Sequence, residues 1–307
     1  RWHQADRSPS KRVFKQTDAG GQPLNLYGSE GITVVQRHRL AAVNRSTTAS
    51  DSRRMLWVEI LIVLGLSLGQ SAVYALLTLW ERLLTPVPLA EQTATLNTSD
   101  SSLPWLDLVY QVVGLGFALM PVVLALYLLA TRWPPSETPP VPQLRSGAYL
   151  IGLTPTRLKR DLGWGILLAG GIGLPGIVLY LVGRALGITV QVQTNALGSH
   201  WWIWLVLILA ALKNGLLEEV VVVGYLAERL RALGWRPAVW MGVSALLRAA
   251  YHAYQGWGAV LGNAAMGLVF AWYYHRARRV APLVVAHTLM DVVAFVGPEL
   301  WQPTWLK

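Results

Sequence analysis

Residues 108–131 read L-V-Y-Q-V-V-G-L-G-F-A-L-M-P-V-V-L-A-L-Y-L-L-A-T, an apolar run without a charged side chain. At about 1.5 Å rise per residue a helix of this length covers roughly 36 Å, enough to cross about 30 Å of hydrocarbon. Residues 60–80 and 162–183 repeat the pattern, and three such runs decide the class: transmembrane helices. The run at 60–80 is too long for the apolar region of a signal peptide and lacks a small-residue cleavage pattern, so it reads as a retained span. Residues 201–227, 237–255, 256–274 and 280–297 are also strongly apolar, although several carry charges. The expectation is an all-α polytopic membrane protein, a helical bundle of about seven transmembrane helices within a range of six to eight.

Composition agrees with this reading. Charged residues make up 14% of the 307-residue chain, against about 25% in soluble domains, while mean hydropathy is +0.40 and there are 15 Trp. Residues 1–54 hold ten Lys/Arg and four Asp/Glu with no sustained apolar period, which reads as a poorly ordered basic cytoplasmic head. Met55 stands directly before the first apolar run, and a chain starting there would lose nothing interpretable. Residues 55–162 then hold the N-terminal helices and a Pro-rich linker at 134–142, and residues 163–307 a second bundle carrying the chemistry. A pI near 10.1 reflects basic flanks of apolar spans, and no basic-aromatic pattern for nucleic acid is present. The absence of Cys excludes disulfide frameworks, thiol nucleophiles and Cys-based metal sites.

Lys and Arg alternate between connections. Five lie in residues 132–161, three follow Ala227 (Arg229, Arg231, Arg236) and three follow Tyr274 (Arg276, Arg278, Arg279), whereas the intervening connections are nearly bare. The positive-inside rule then gives a multi-pass protein of the cell membrane with its N-terminus cytoplasmic and its C-terminus outside. Residues 81–104 become a longer outer loop with room for an interfacial turn.

Ionisable residues inside spans are costly, by about 2.5–3.5 kcal/mol each on insertion scales, and mark function by default. They cluster in the last third of the chain. The segment L-K-N-G-L-L-E-E-V-V-V-V-G-Y places Glu218 and Glu219 side by side, with Asn214 one turn earlier next to Lys213. Adjacent helical positions differ by about 100°, so one carboxylate faces a cavity while the other turns to a neighbouring helix. In L-L-R-A-A-Y-H, Arg248 and His252 share a face, as do His287 and Asp291 in V-V-A-H-T-L-M-D. Asn263 sits among Gly258, Gly262 and Gly267, glycines that suit close helix packing. A carboxylate with a neutral imidazole activates water, and polar groups in a dry cavity hold a developing oxyanion, so attack of water on a peptide bond fits the set. Glu218, His252 and His287 are also a donor set for Zn²⁺ with an open water position. Spacing leaves the cofactor open between none and Zn²⁺, and no H-E-x-x-H run is present.

At these residues the sequence resembles the CAAX protease and bacteriocin-processing family of intramembrane endopeptidases, also called the type II CAAX prenyl endopeptidase-like family. Its motifs are E-E-x-x-x-R, F-x-x-x-H and H-x-x-x-N/D on successive membrane helices, matched here by Glu218-Glu219, His252, and His287 with Asp291 over roughly residues 163–297. The resemblance implies that Glu218 and His252 activate water, that His287 and Asp291 hold the oxyanion, and that Glu219 supports them. It also implies a membrane-associated protein or peptide as substrate, with the lipid bilayer as surroundings and no nucleic-acid partner. Val223 occupies the position of the motif Arg, and Arg248 that of the motif Phe. Arg248 is therefore expected to take over the missing charge by pairing with Glu219, with Asn214 and Asn263 as further supporting groups. Other functions open to the same fold are a non-proteolytic scaffold or immunity-type protein and a transporter that relays protons through the Glu and His residues.

Overall fold

The computed structural model describes residues 53–131 and 143–301. The head expected at 1–54, apart from its last two residues, the linker at 134–142 and the C-terminus at Lys307 lie outside the described residues. The chain divides between Arg54 and Met55, and the unit from Met55 onward is a helical bundle. Its elements are α1 (Arg53–Gly65, which starts at the division), α2 (Leu68–Leu84), α3 (Pro104–Ala118), α4 (Met120–Thr131), α5 (Gln143–Leu150), α6 (Leu158–Ala185), α7 (Ile203–Glu218), a π-helical turn (Glu219–Tyr225), α8 (Leu226–Ala232), α9 (Pro237–Tyr251), α10 (Trp257–Ala277) and α11 (Ala281–Trp301). All-α is the architecture, apart from two three-residue strands, β1 (Thr93–Thr95) and β2 (Gln191–Gln193).

Three helices among the described residues are long and apolar enough to cross a membrane, 104–131, 155–185 and 281–298, and the pair α1–α2 makes four if taken as one span bent by 56°. The bend falls inside the run at 60–80, where Gly65, Ser67 and Gly69 weaken the helix and the Ser67 hydroxyl donates to the Val63 carbonyl at 2.6 Å. The run at 108–131 is likewise interrupted at Leu119, because Pro121 has no amide to return to the preceding turn, and the Leu119 amide bonds Gly116 instead. In the last third α11 is one of these spans, whereas α7 and α9 are shorter, at 16 and 15 residues. Burial is inverted relative to a soluble protein: Leu66, Tyr74, Phe117, Leu174, Val178 and Leu246 are exposed, whereas Asp161, Glu218, Glu219, Arg248 and His287 are buried. That is the distribution expected of a membrane protein.

Two ion pairs inside the bundle tie it together. Glu59 of α1 accepts from Arg229 Nε at 2.6 Å and from the Tyr225 hydroxyl at 3.0 Å, while Arg229 Nη2 donates to the Leu128 carbonyl at 2.7 Å. Arg229 thus belongs to the core, not to an exposed basic connection. Arg279 joins Asp161 at the start of α6 through Nε at 2.8 Å and Nη2 at 2.5 Å.

The connections between α2 and α3 and between α6 and α7 form a folded cap. β1 pairs in parallel with β2, Thr93 opposite Gln191 and Thr95 opposite Gln193. The cap also grips the turn after α9: the Val190 amide donates to the Gln255 carbonyl, and the Trp257 amide to the Ile188 carbonyl at 2.9 Å. Gly256 takes φ 95° there, a left-handed value that favours glycine. These bonds fix the turn that begins at His252.

Helices α7 and α11 approach closely beside the buried carboxylates. A Cβ on Gly215 would stand 2.6 Å from Thr288 Oγ1 and 3.0 Å from the Val284 carbonyl, so only glycine allows the two backbones to meet one turn from Glu218. Gly215→Ala should lower the midpoint of thermal unfolding, at a cost of about 1–3 kcal/mol from overpacking. Gly114→Ala, where an added Cβ meets nothing within 4 Å, should be neutral or slightly stabilising. Thermal unfolding of both variants in detergent checks the contrast.

Candidate active site

The site is set by a wide turn. Val220–Val223 are four consecutive β-branched residues, which crowd a regular α-helix. The chain from Glu219 to Tyr225 adopts π-helical geometry, with the Leu226 amide reaching back five residues to the Val221 carbonyl. The Ser244 hydroxyl of α9 donates to the Val222 carbonyl at 2.9 Å and pins the turn. Single π turns inside α-helices are frequent at functional sites. This one begins at the second carboxylate of the pair, and both carboxylates converge on the same cation and the same imidazole.

That cation is Arg248, fully buried on α9. Its Nη2 donates to Glu219 Oε1 at 2.5 Å, and its Nη1 to Glu218 Oε2 at 3.3 Å. The guanidinium lies 5.4 Å from the centroid of Phe270 on α10, a cation–π contact. The guanidinium faces two carboxylates, and further donors satisfy the remainder. The Tyr251 hydroxyl donates to Glu218 Oε2 at 2.8 Å, and His287 Nδ1 stands 2.6 Å from Glu219 Oε1. A carboxylate that already accepts from a guanidinium requires the imidazole to be the donor, so His287 carries a proton on Nδ1. Its Nε2 then faces Glu218 Oε2 at 3.9 Å and Asp291 Oδ2 at 3.7 Å. The bonds from Arg248 and Tyr251 to Glu218 both fall on Oε2.

Asp291 accepts from Asn214 Nδ2 at 2.7 Å, and Asn214 Oδ1 accepts from Lys213 Nζ at 2.5 Å. His252 closes α9. Its Nδ1 lies 3.1 Å from the Arg248 carbonyl, which can only accept, so Nδ1 holds the proton and Nε2 is left as the basic nitrogen. The ring packs 4.8 Å from that of Tyr251, the residue on Glu218. Thus Glu218, Glu219, Arg248, His287, Asp291 and Asn214 form one contiguous network, and His252 joins it through the Arg248 backbone. Asn263 donates to the Ala259 carbonyl of its own helix at 3.0 Å and makes no hydrogen bond to this network among the described residues.

Sequence reasoning misses Tyr251 and the π turn. Tyr251 has no motif position, and its place directly before His252 is the one signal that could have drawn attention to it. The four-valine run disfavours a regular helix without specifying a π turn.

The donors themselves test for a metal. Glu218, Glu219 and His287 each offer an atom within 4.8 Å of the others, whereas His252 stands outside this group. The guanidinium of Arg248 contacts both carboxylates of the same trio, so a divalent cation there would face a buried positive charge. Any such cation would have to share both carboxylates with that guanidinium.

Apolar helices with exposed faces and a buried cluster of ionisable groups define a helical membrane protein whose chemistry is enclosed. Residues 200–293 match the family model described as type II CAAX prenyl endopeptidase Rce1-like, the family to which the motifs point. The matched segment holds every candidate site residue, from Asn214 to Asp291, and the family is one of proteases. No curated protein and no solved structure matches the chain.

Removing the guanidinium should strand two buried carboxylates. Arg248→Met is expected to cost about 3–5 kcal/mol of folding stability, the usual cost of breaking a buried pair from one side. Adding Glu219→Gln should recover part of that loss, because one orphaned charge is then gone. A cycle of thermal unfolding on the two single variants and the double variant measures the coupling.

Proposed function

We propose that this chain is an intramembrane endopeptidase in which the Glu218 carboxylate is the base that activates water for attack on a peptide bond. The observation that carries the reading is the convergence of Glu218 and Glu219 on Arg248 and His287, inside the segment that matches a protease family. Holding two carboxylates out of water is expensive, and a structural role alone would be served by an apolar core.

In the proposed reaction, water stands against the free oxygen of Glu218, gives its proton to that carboxylate and attacks the carbonyl carbon. His252, with Nε2 basic and its ring fixed from the Arg248 carbonyl, assists in receiving and passing the proton. The carbonyl oxygen becomes an oxyanion that needs N–H donors. An ionised Asp291 only accepts, so we assign it the orientation of Asn214 and His287; the second Nδ2–H of Asn214 and a proton on His287 Nε2, which lies between Glu218 and Asp291, are the oxyanion donors. The C–N bond then breaks as the proton held by Glu218 moves to the leaving amine. Products are a carboxyl group and a free amine. Glu219 keeps Arg248 and His287 in place.

The substrate class is a membrane-associated peptide, reached from a bilayer that the exposed apolar faces contact. We read α7 to α8, α9 and α10 as further spans, giving seven with the N-terminus cytoplasmic. The continuous helical segment 203–232 is long enough to cross the hydrocarbon at about 1.5 Å per residue. Leu205, Ile208, Leu246, Leu261 and Leu268 lie exposed on these helices as lipid-facing residues.

Glu218→Gln preserves volume and removes the base, so cleavage of membrane peptides by purified protein should fall by about 10² or more. Activity of the unaltered protein should survive strong chelators, because Arg248 supplies the positive charge. Unchanged turnover by Glu218→Gln would refute the assignment of the base, and loss of activity restored by added Zn²⁺ would refute the metal-free mechanism.

A further inference from the structure

Lys213 plays no part in the reaction as proposed. It lies on α7, ten residues and so about 15 Å along the helix from Ile203, and is half-buried. Of its three N–H groups, one reaches Asn214 Oδ1. No carboxylate stands within 4.0 Å of Nζ among the described residues, although ion pairs occur at Glu59, Asp161, Glu218, Glu219 and Glu228. Lys213 also lines a cavity of about 130 Å³ between α3 and α7, whose other walls are apolar: Val112, Leu115, Leu119, Leu209, Leu212 and Leu216 among them. The residue therefore combines a half-buried ammonium, an apolar cleft beside it, and a hydrogen-bonded path through Asn214 to Asp291 and the reaction centre.

We infer that Lys213 anchors a carboxylate-binding subsite, which takes the acid group of a molecule with an apolar stem: the ammonium pairs with the carboxylate and the stem lies in the cleft between α3 and α7. Glu218 and Asp291 act on the ammonium only at longer range, without a direct ion pair, and a carboxylate brought from the bilayer would supply one as it binds. Two sources present this chemistry in a membrane, the C-terminal carboxylate of an apolar peptide and a free fatty acid. The peptide arm rests on the endopeptidase reading, since it makes Lys213 a specificity residue for that site, whereas the fatty-acid arm does not. Asn214 links the two in either case: a carboxylate on Lys213 competes for the ammonium that Asn214 Oδ1 now accepts from, and Asn214 in turn holds Asp291.

Binding to the full-length protein in detergent tests this independently of catalysis. The probes are a long-chain fatty acid against its methyl ester, and an apolar peptide with a free C-terminus against the same peptide amidated. Wild type should bind at least one acid form about tenfold or more tighter than its neutral counterpart. Lys213→Met should abolish the preference and Lys213→Arg should keep it, with thermal unfolding confirming that both variants are folded. Glu218→Gln should retain the preference, because it leaves the subsite intact. A preference in the peptide pair assigns the subsite to substrate, and one confined to the fatty-acid pair assigns it to lipid. Absence of any acid preference, or a preference that survives Lys213→Met, overturns the inference. Lys213-dependent binding in a protein that cleaves no peptide would uphold the subsite and refute the endopeptidase reading.

Discussion

Two carboxylates held side by side among membrane helices require a positive charge within reach, and in this protein Arg248 is that charge. The side chain is fully buried and touches Glu219 at 2.5 Å and Glu218 at 3.3 Å. The rest of the site follows from it. The Arg248 carbonyl fixes His252, its cation faces the ring of Phe270, and the carboxylate it neutralises accepts from His287. An ion pair of this kind adds little to stability compared with a well-packed apolar core, and is retained where specificity or chemistry needs it. Here it leaves Glu218 with its hydrogen bonds from Arg248 and Tyr251 concentrated on one of its two oxygens, the arrangement that the proposed activation of water uses.

The surrounding bundle delivers these groups by backbone devices. The π turn from Glu219 brings both carboxylates onto one cation. Gly215 lets α11 approach until His287 reaches Glu219. The cap of β1 and β2 is bonded to the turn after α9, so the position of His252 depends on two connections that contribute nothing to the cluster themselves. A second buried pair, Glu59 with Arg229, holds α1 to the far side of the same π turn. The two ionic centres thus bracket the turn, and a helix of unusual pitch is stabilised from both ends.

Much of this is legible in the sequence because the signals are local. Long uncharged runs give the helical membrane class, and motif order places Glu218 on α7, His252 at the end of α9 and His287 on α11. Val223 in place of the motif Arg, and Arg248 in place of the motif Phe, mark Arg248 as a charge without a motif position. Other features depend on geometry that no local pattern records. Gly65 and Ser67 read as tolerable within a span, yet they bend α1 from α2 by 56°. Arg229 reads as a loop charge, but Glu59, which stands just before the uncharged run, draws it into the core. Strands of three residues carry no alternation to detect, so the cap leaves no trace in the pattern. Tyr251 reads as an ordinary apolar position, although its hydroxyl sits on Glu218. Asn263 carries the same polar signal as Asn214, but only Asn214 lies on a helix face that meets Asp291.

We propose that Arg248, which pairs with Glu219 and Glu218, takes the role that the family motif gives to an arginine at position 223. Peptide turnover by Arg248→Phe, alone and combined with Val223→Arg, tests this most directly. The single variant should lose activity because Glu219 is stranded, and the second substitution should restore much of it by returning a guanidinium to the pair. Wild-type turnover by Arg248→Phe would contradict the role given to Arg248.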